Sequence, residues 1–365
     1  MKPVIAVPAI AALVYRAWSR KSLTPLGIAT AFLTAVVHAI HPWSVFFALL
    51  TVFFLSGTAV TKVKHDIKAR LTQSASGATG GEGSRTHVQV LANSLTASVL
   101  ILLHAWKLRK ERSNSKEDLC WPRDSDVLVV GIVANYAAVA ADTFSSELGI
   151  LAKSKPRLIT APWRVVPPGT NGGVTASGLL AGLLGAFIVA STSTLLLPFC
   201  QDWSLVQKIR YTQYISLVGL AGSLLDSYLG AVLQASVIDV HSGKVIEGEG
   251  GRKVLIHSHP MHFKPTAEAR SKVSKRADGK DAITKTSATN SSLEDSIKVS
   301  RTMQKAGASG AAVADGQHVS RKVAVGHDIL DNNGVNLLMA ALISVGSIVV
   351  AAVTWKVPLA SIIPI

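Results

Sequence analysis

The chain has 365 residues, 48% of them hydrophobic and only 16% charged, against roughly a quarter charged in a soluble domain. That deficit, with a mean hydropathy of +0.36, selects the membrane class. The formal net charge of +15 does not imply nucleic acid, because the basic residues lie between apolar runs, where they read as anchors facing anionic lipid.

A bilayer core of about 30 Å needs about 20 mostly apolar residues. In chain order the apolar segments are about Val4–Val14, Leu26–Ile40, Trp43–Val60, Val88–Trp106, Val127–Leu151, Thr175–Leu197, Gln213–Ile238 and Val335–Thr354. The first two are short, so the expectation is a polytopic all-α helical bundle of about 6–8 spans. Val4–Val14 lacks a small-residue cleavage site and reads as a span, not a removed signal peptide. The two cysteines, Cys120 and Cys200, are too few for a disulfide framework or a CxxC metal site.

The loops differ in character. Lys62–Arg85 is basic and then Gly-rich, Lys107–Asp126 is a charged linker, and Lys153–Gly173 is basic and then rich in Pro and Gly. His241–Val325 is rich in Ser, Ala, Lys and Gly with no sustained period, and reads as a long disordered loop before the last span. The organisation expected is residues 1–240 as the first part of the membrane domain, 241–325 as a basic insert, and 326–365 as its last helix and tail. Deleting about Lys253–Ala314 is expected to leave a folded protein. No internal repeat of the kind common in transporters is visible.

Alternate loops must share a side of the membrane. The third, fifth and seventh loops carry the Gly-rich run, the Pro-Gly motif and Asp331-Asn332-Asn333, so these motifs face one compartment. The excess of basic residues in these loops places that face in the cytosol.

Five polar motifs stand within or beside the apolar segments. Asp142 and Glu147 close the fifth, and at five residues apart they lie about 140° apart on an unbroken helix. An acid at membrane depth faces a partner or a cavity, so Asp142 is either a metal ligand or a helix end reaching water. Pro167-Pro168-Gly169-Thr170-Asn171-Gly172-Gly173 opens the sixth and suggests either an anion site at a helix start or a tight turn. In that helix Gly178/Gly182 and Ala181/Gly185 form close-packing faces. Gly222, Asp226 and Gly230 share one face of the seventh, setting a carboxylate between two glycines. Asp331-Asn332-Asn333-Gly334-Val335-Asn336 precedes the eighth and is more polar than N-capping alone requires. Gln89, Asn93 and Thr96 make a polar stripe suited to interhelical hydrogen bonds.

Other sequence features are weaker. The run Gly77, Gly80, Gly81, Gly83 ending at Arg85 suits either phosphate wrapping or a flexible linker, and no Walker A motif accompanies it. His257, His259 and His262 lie in the insert, where a specific metal site is not expected.

The segments Arg85-Thr-His-Val-Gln89-Val-Leu-Ala-Asn93, Ala141-Asp142-Thr-Phe-Ser-Ser-Glu147-Leu-Gly149, Pro168-Gly-Thr-Asn171-Gly-Gly173, Gly222-Ser-Leu-Leu-Asp226-Ser and Asp331-Asn-Asn333-Gly-Val-Asn336 resemble, in order and spacing, the eukaryotic transmembrane protein 19 family. That family includes the plant phytyl-phosphate kinase of vitamin E synthesis. The resemblance covers nearly the whole chain except 241–325. It implies phosphoryl transfer from a nucleotide such as CTP to a prenyl monophosphate such as phytyl or geranylgeranyl phosphate, in an endomembrane such as the endoplasmic reticulum. In that reading Asp142 and Asp226 are catalytic, and with Asp331 they hold Mg²⁺. Arg85, Arg157, Asn171, Gly172, Gly173 and Asn333 bind substrate phosphate. The alternatives are a transporter or channel with Asp142 and Asp226 on its pathway, and a non-enzymatic membrane scaffold.

Overall fold

The computed structural model describes residues 1–75, 80, 83–114, 120–122, 126–254 and 321–358. The chain is mostly helical, and six of its described helices are long and apolar enough to cross a membrane. The helices are α1 (Pro3–Ser19), α2 (Pro25–Ile40), α3 (Val45–Lys62), α4 (His65–Leu71), α5 (His87–Asn114), α6 (Val127–Gly149), α7 (Ala176–Leu196), α8 (Leu205–Leu233) and α9 (Asn332–Trp355). All except α1, α2 and the seven-residue α4 reach spanning length.

α6 is the hub of the bundle. Its apolar stretch is 94% buried, whereas the other long helices leave more than half of theirs facing outward. Near-total burial explains its composition, a run of Val and Ala with no basic residue. Against it lie the small-residue faces of α7 and α8. A Cβ added at Gly182 would sit 3.1 Å from the Ala141 carbonyl oxygen, and one at Gly185 would sit 2.8 Å from that of Ala140. Gly219 of α8 meets Ala137 and Gly222 meets Ala138 in the same way. Lipid tails are as apolar as leucine, so close backbone approach is what favours helix against helix over helix against lipid.

Two features shift the seventh span from its expected bounds of Gln213–Ile238. α8 begins at Leu205 because Ser204 and Gln207 form a reciprocal capping box. It ends at Leu233, and Ser236–Asp239 continues as a strand.

The loops on one side fold into two small sheets where irregular linkers were expected. The third loop carries α4 and β1 (Gln73–Ser74). The fifth forms β2 (Arg157–Leu158), β3 (Ala161–Val165) and β4 (Gly173–Val174), ordered β3-β2-β4. β5 (Ser236–Asp239) and β6 (Val245–Glu247) make a hairpin pairing Val237 with Ile246, and β1 adds in parallel to β6. β7 (Arg321–Val325) completes the order β1-β6-β5-β7. Both ends of the segment read as an insert, 241–254 and 321–325, therefore carry defined structure. Lys253 donates to the carbonyls of Asp328 (2.9 Å) and Ile329 (3.1 Å), so a clean deletion starts beyond Val254. The histidines at 257, 259 and 262 and the remainder of the insert lie outside the described residues.

On the opposite face the described residues form a cluster of packed rings and one cross-link. Cys120 and Cys200, 80 residues apart, are disulfide-bonded, a pairing that two isolated cysteines did not suggest. Trp121 donates its backbone N–H to Pro198 O at 2.7 Å and its ring packs on Phe199, Trp203, Tyr211 and Trp355. Beside this cluster, His104 Nδ1 bonds His41 Nε2 at 2.9 Å and its Nε2 bonds Asp126 Oδ1 at 3.0 Å, with all three residues no more than 2% exposed. Removing His104 strips a hydrogen bond from each of two buried groups, at about 1–3 kcal/mol for an unsatisfied one. His104→Ala should therefore lower the thermal unfolding midpoint in detergent by several degrees. An unchanged midpoint would mean this chain of side chains contributes nothing to holding the face together.

Candidate functional site

The three loops that share a side converge on one cavity of about 590 Å³. The third loop brings Arg85, the fifth Asn171, and the seventh Asp331, while α6 and α8 bring Asp142 and Asp226. The geometry follows from helix periodicity. α6 and α8 run in the same direction, and Gly222 meets Ala138 so closely that a Cβ would overlap the alanine Cβ. One turn further along each helix come Asp226 and Asp142, four residues on in both cases. The tightest contact between the helices thus sets two carboxylates side by side, close enough to interact electrostatically. With its amide nitrogen turned toward α8, Asn336 of α9 donates to Asp226 Oδ2 at 3.0 Å.

Asp142 and Glu147 both line the cavity although α6 is unbroken between them, because the cavity wraps the helix end. Glu147 pairs with Lys68 of α4, whose ammonium also donates to Thr61 O at 2.6 Å and Val60 O at 3.2 Å. Lys68 is thereby spent on the last-turn carbonyls of α3 and on one carboxylate. It escaped the sequence reading because nothing in His65–Leu71 separates a buried lysine from a loop anchor.

Arg85 is fixed by its backbone. Its N–H donates to Ser22 O and its carbonyl accepts from Thr24 N, both at 3.0 Å. Its guanidinium lies beside Gly57 of α3, with Nη2 3.4 Å from Thr61 Oγ1. Gln89 and Asn93 continue that wall along α5, and Asn135 of α6 donates to Asn93 O at 3.1 Å.

The remaining predicted residues are placed differently. Arg157 lies outside the cavity wall and donates Nη1 to Pro162 O at 2.9 Å. Asn333 is buried, donates to Gly250 O at 3.0 Å, and also lies outside the lining. Asp331 lines the cavity, but its Oδ1 caps α9 by accepting from Gly334 N at 2.8 Å. Asn171, Gly172 and Gly173 line the wall as a turn rather than a helix start. Asn171 N donates to Ser236 Oγ and Gly173 N to Thr170 O, each at 2.9 Å, so these amides are already engaged. α7 starts later, capped by Thr175.

The glycines of this turn are not equivalent to those of the helix it touches. Gly172 has φ +76°, and a Cβ there would lie 2.5 Å from Ala231 Cβ and 2.7 Å from Ser227 O. Gly230, on the facing helix, would meet nothing nearer than Asn171 Cβ at 3.5 Å. Gly172→Ala should cost at least about 1–2 kcal/mol from the left-handed backbone alone. Gly230→Ala should be neutral or stabilising, since alanine favours helix by up to about 1 kcal/mol. Unfolding midpoints of the two variants check this, and equal values would contradict the packing described.

Residues 8–344 match the family described as integral membrane protein DUF92. Protein PGR of Arabidopsis thaliana is 37% identical over 243 residues, which cover 65% of this chain and 80% of that protein. An uncharacterized membrane protein of Methanocaldococcus jannaschii is 33% identical over 186 residues, covering 51% and 64% respectively. Protein VTE6, chloroplastic, also of A. thaliana, is 30% identical over 174 residues, 48% of this chain and 47% of that protein. No solved structure matches.

Proposed function

The chain belongs to the DUF92 family of integral membrane proteins, and from that premise we propose that it transfers a phosphoryl group from a nucleoside triphosphate such as CTP to a prenyl monophosphate. The observation that carries this reading is the pair Asp142 and Asp226, set side by side in a polar cavity whose wall includes Arg85. The similarity to VTE6 and the resemblance to a family containing a phytyl-phosphate kinase support it further.

The donor set fits Mg²⁺. Among the described residues no cluster of three or more His, Cys, Asp or Glu suits a metal, but Mg²⁺ is commonly held by one or two carboxylates plus substrate phosphates. Asp142 and Asp226 would hold it, and Asp331, half spent on its helix, would contribute less. Bound there, the ion would neutralise charge on the phosphoryl group in flight.

The protein's own work is positioning. Asn336 orients the Asp226 carboxylate, and the backbone clamp at Ser22 and Thr24 fixes where Arg85 starts. Arg85 would pair with the acceptor phosphate, to which guanidinium geometry is matched. An oxygen of the lipid monophosphate attacks the terminal phosphorus, and the bond to the bridging oxygen breaks. The products are a lipid diphosphate and a nucleoside diphosphate. Catalysis then rests on alignment and charge stabilisation rather than a covalent intermediate.

We place the cavity face in the cytosol of an endomembrane such as the endoplasmic reticulum. The basic loops support the orientation. The disulfide supports it too, since it lies on the opposite face and such bonds persist in oxidising compartments.

Asp226→Asn keeps the shape of the side chain and removes its charge. Turnover of geranylgeranyl or phytyl phosphate by purified protein with Mg²⁺ should fall roughly a hundred- to a thousandfold, equivalent to about 3–4 kcal/mol of transition-state stabilisation. Full turnover in the folded variant would remove Asp226 from the site. Absence of turnover by the parent with any nucleotide would sink the kinase reading, and nucleotide-independent ion flux sensitive to the same variant would replace it with transport.

A further inference from the structure

A second, smaller cavity of about 80 Å³ lies among α1, α2, α3 and α5, and its walls are mostly apolar. Leu13 of α1, Ala31 of α2, and Leu50 and Phe54 of α3 represent them. Thr34 and Ser94 are small polar members of this lining, and three longer polar side chains interrupt it at one side: Arg85, Gln89 and Asn93. The same three line the large polar cavity, so the two spaces share one wall. Gln89 and Asn93 are four apart and lie on one face of α5, with Arg85 just ahead of that helix.

The connection is also covalently short and hydrogen-bonded. Arg85 N–H donates to Ser22 O and Thr24 N–H donates to Arg85 O, so the α1–α2 linker is zipped to the residue assigned to phosphate. A Cβ on Gly27 of α2 would lie 2.8 Å from Arg85 O, which shows how closely that helix approaches. α1 and α2 thus supply two apolar walls of the small cleft and hold the cation at its polar end. A cleft with an apolar body at membrane depth and a guanidinium at its mouth is complementary to one class of ligand, an amphiphile with a hydrocarbon chain and an anionic head.

We propose that this cleft is the tail subsite for a single-chain lipid phosphate whose head sits at Arg85 in the large cavity. The nature of the head rests on the phosphoryl-transfer reading, whereas the apolar wall does not. The volume is roughly five to eight times the about 10–15 Å³ of free space that suffices to hold one water molecule. It therefore receives only the first carbons of the tail, and the remainder runs out between α1, α2 and the bilayer. The exposed side chains of Leu26, Phe32 and Leu33 on α2 supply an apolar surface for it to follow.

The test uses the full-length protein in phosphatidylcholine nanodiscs without nucleotide. Geranylgeranyl monophosphate carrying a diazirine on its first isoprene unit should label Leu13, Ala31 or Phe54 in the unaltered protein. Labelling confined to other helices overturns the proposal. Ala31→Phe and Leu13→Trp fill the cleft from opposite walls. Each should weaken geranylgeranyl monophosphate binding tenfold or more and leave inorganic phosphate, which has no tail, within twofold of the parent. Leu184→Trp, on the outward face of α7, should change neither. Unchanged long-tail binding in a folded cleft-filling variant overturns the subsite. Because binding and labelling need no nucleotide, a protein that labels as expected but never turns over keeps the subsite and loses the kinase reading. An active kinase indifferent to the cleft variants does the reverse.

Discussion

The approach of glycine-bearing helices to α6 is the contact on which the site depends. In a bilayer no hydrophobic force distinguishes a neighbouring helix from a lipid tail, so association relies on close packing. Gly182 and Gly185 of α7 come within van der Waals reach of α6 carbonyls, and Gly219 and Gly222 of α8 meet Ala137 and Ala138. Larger residues at these positions would push the helices apart. The register fixed by those contacts carries forward one turn and sets Asp142 beside Asp226. The site is therefore a consequence of packing several ångströms away from it, and α6 can carry an acid only because almost all of the helix is inside the bundle.

That burial also explains why the loops had to fold. The acid-bearing end of α6 is where the third, fifth and seventh loops meet, and their backbone groups need partners. Two- to five-residue strands, the β5–β6 hairpin and the Asn171–Ser236 bond supply them. Lys68 answers a related need, closing the C-terminus of α3 with its ammonium while pairing with Glu147. The polar residues around the cavity thus include Asn171, held by Ser236, and Asp226, held by Asn336 and set beside Asp142 at the junction of two helices.

The spans were legible in the sequence because length and hydropathy are read over about 20 residues and average out local detail. The convergence of the loops was legible for a topological reason, since alternate loops must share a side. The start of α8 was missed although Ser204 and Gln207 spell a capping box, because hydropathy outweighed that local signal before Gln213. The strands were not legible, since two residues such as Gln73–Ser74 contain no period to detect. Nor was the Cys120–Cys200 bond, whose partners are separated by 80 residues and brought together only by the bundle. Arg85 and Arg157 looked alike as loop arginines. What separates them is tertiary: one is zipped to the α1–α2 linker at the cavity wall, the other turned outward onto Pro162.

The two ends of the bundle are built to different rules, and that difference bears on the choice between chemistry and transport. At one end a 590 Å³ polar cavity is walled by loops, strands and charged side chains. At the other, Trp121, Phe199, Trp203, Tyr211 and Trp355 interlock around a disulfide, beside the buried His41–His104–Asp126 chain. An alternating-access transporter opens its site to each side in turn by rocking one half against the other. Here the cross-link ties the linker before α6 to the one before α8, and the aromatic cluster draws α9 into the same knot, so helices from different parts of the bundle are fastened together at that face. Rocking about such a closure would have to break aromatic packing shared by several helices. A site that takes and releases its ligands from one face needs no such opening. In the proposed reaction a lipid phosphate would approach laterally along α1 and α2 and a nucleotide from water, both at the cavity end.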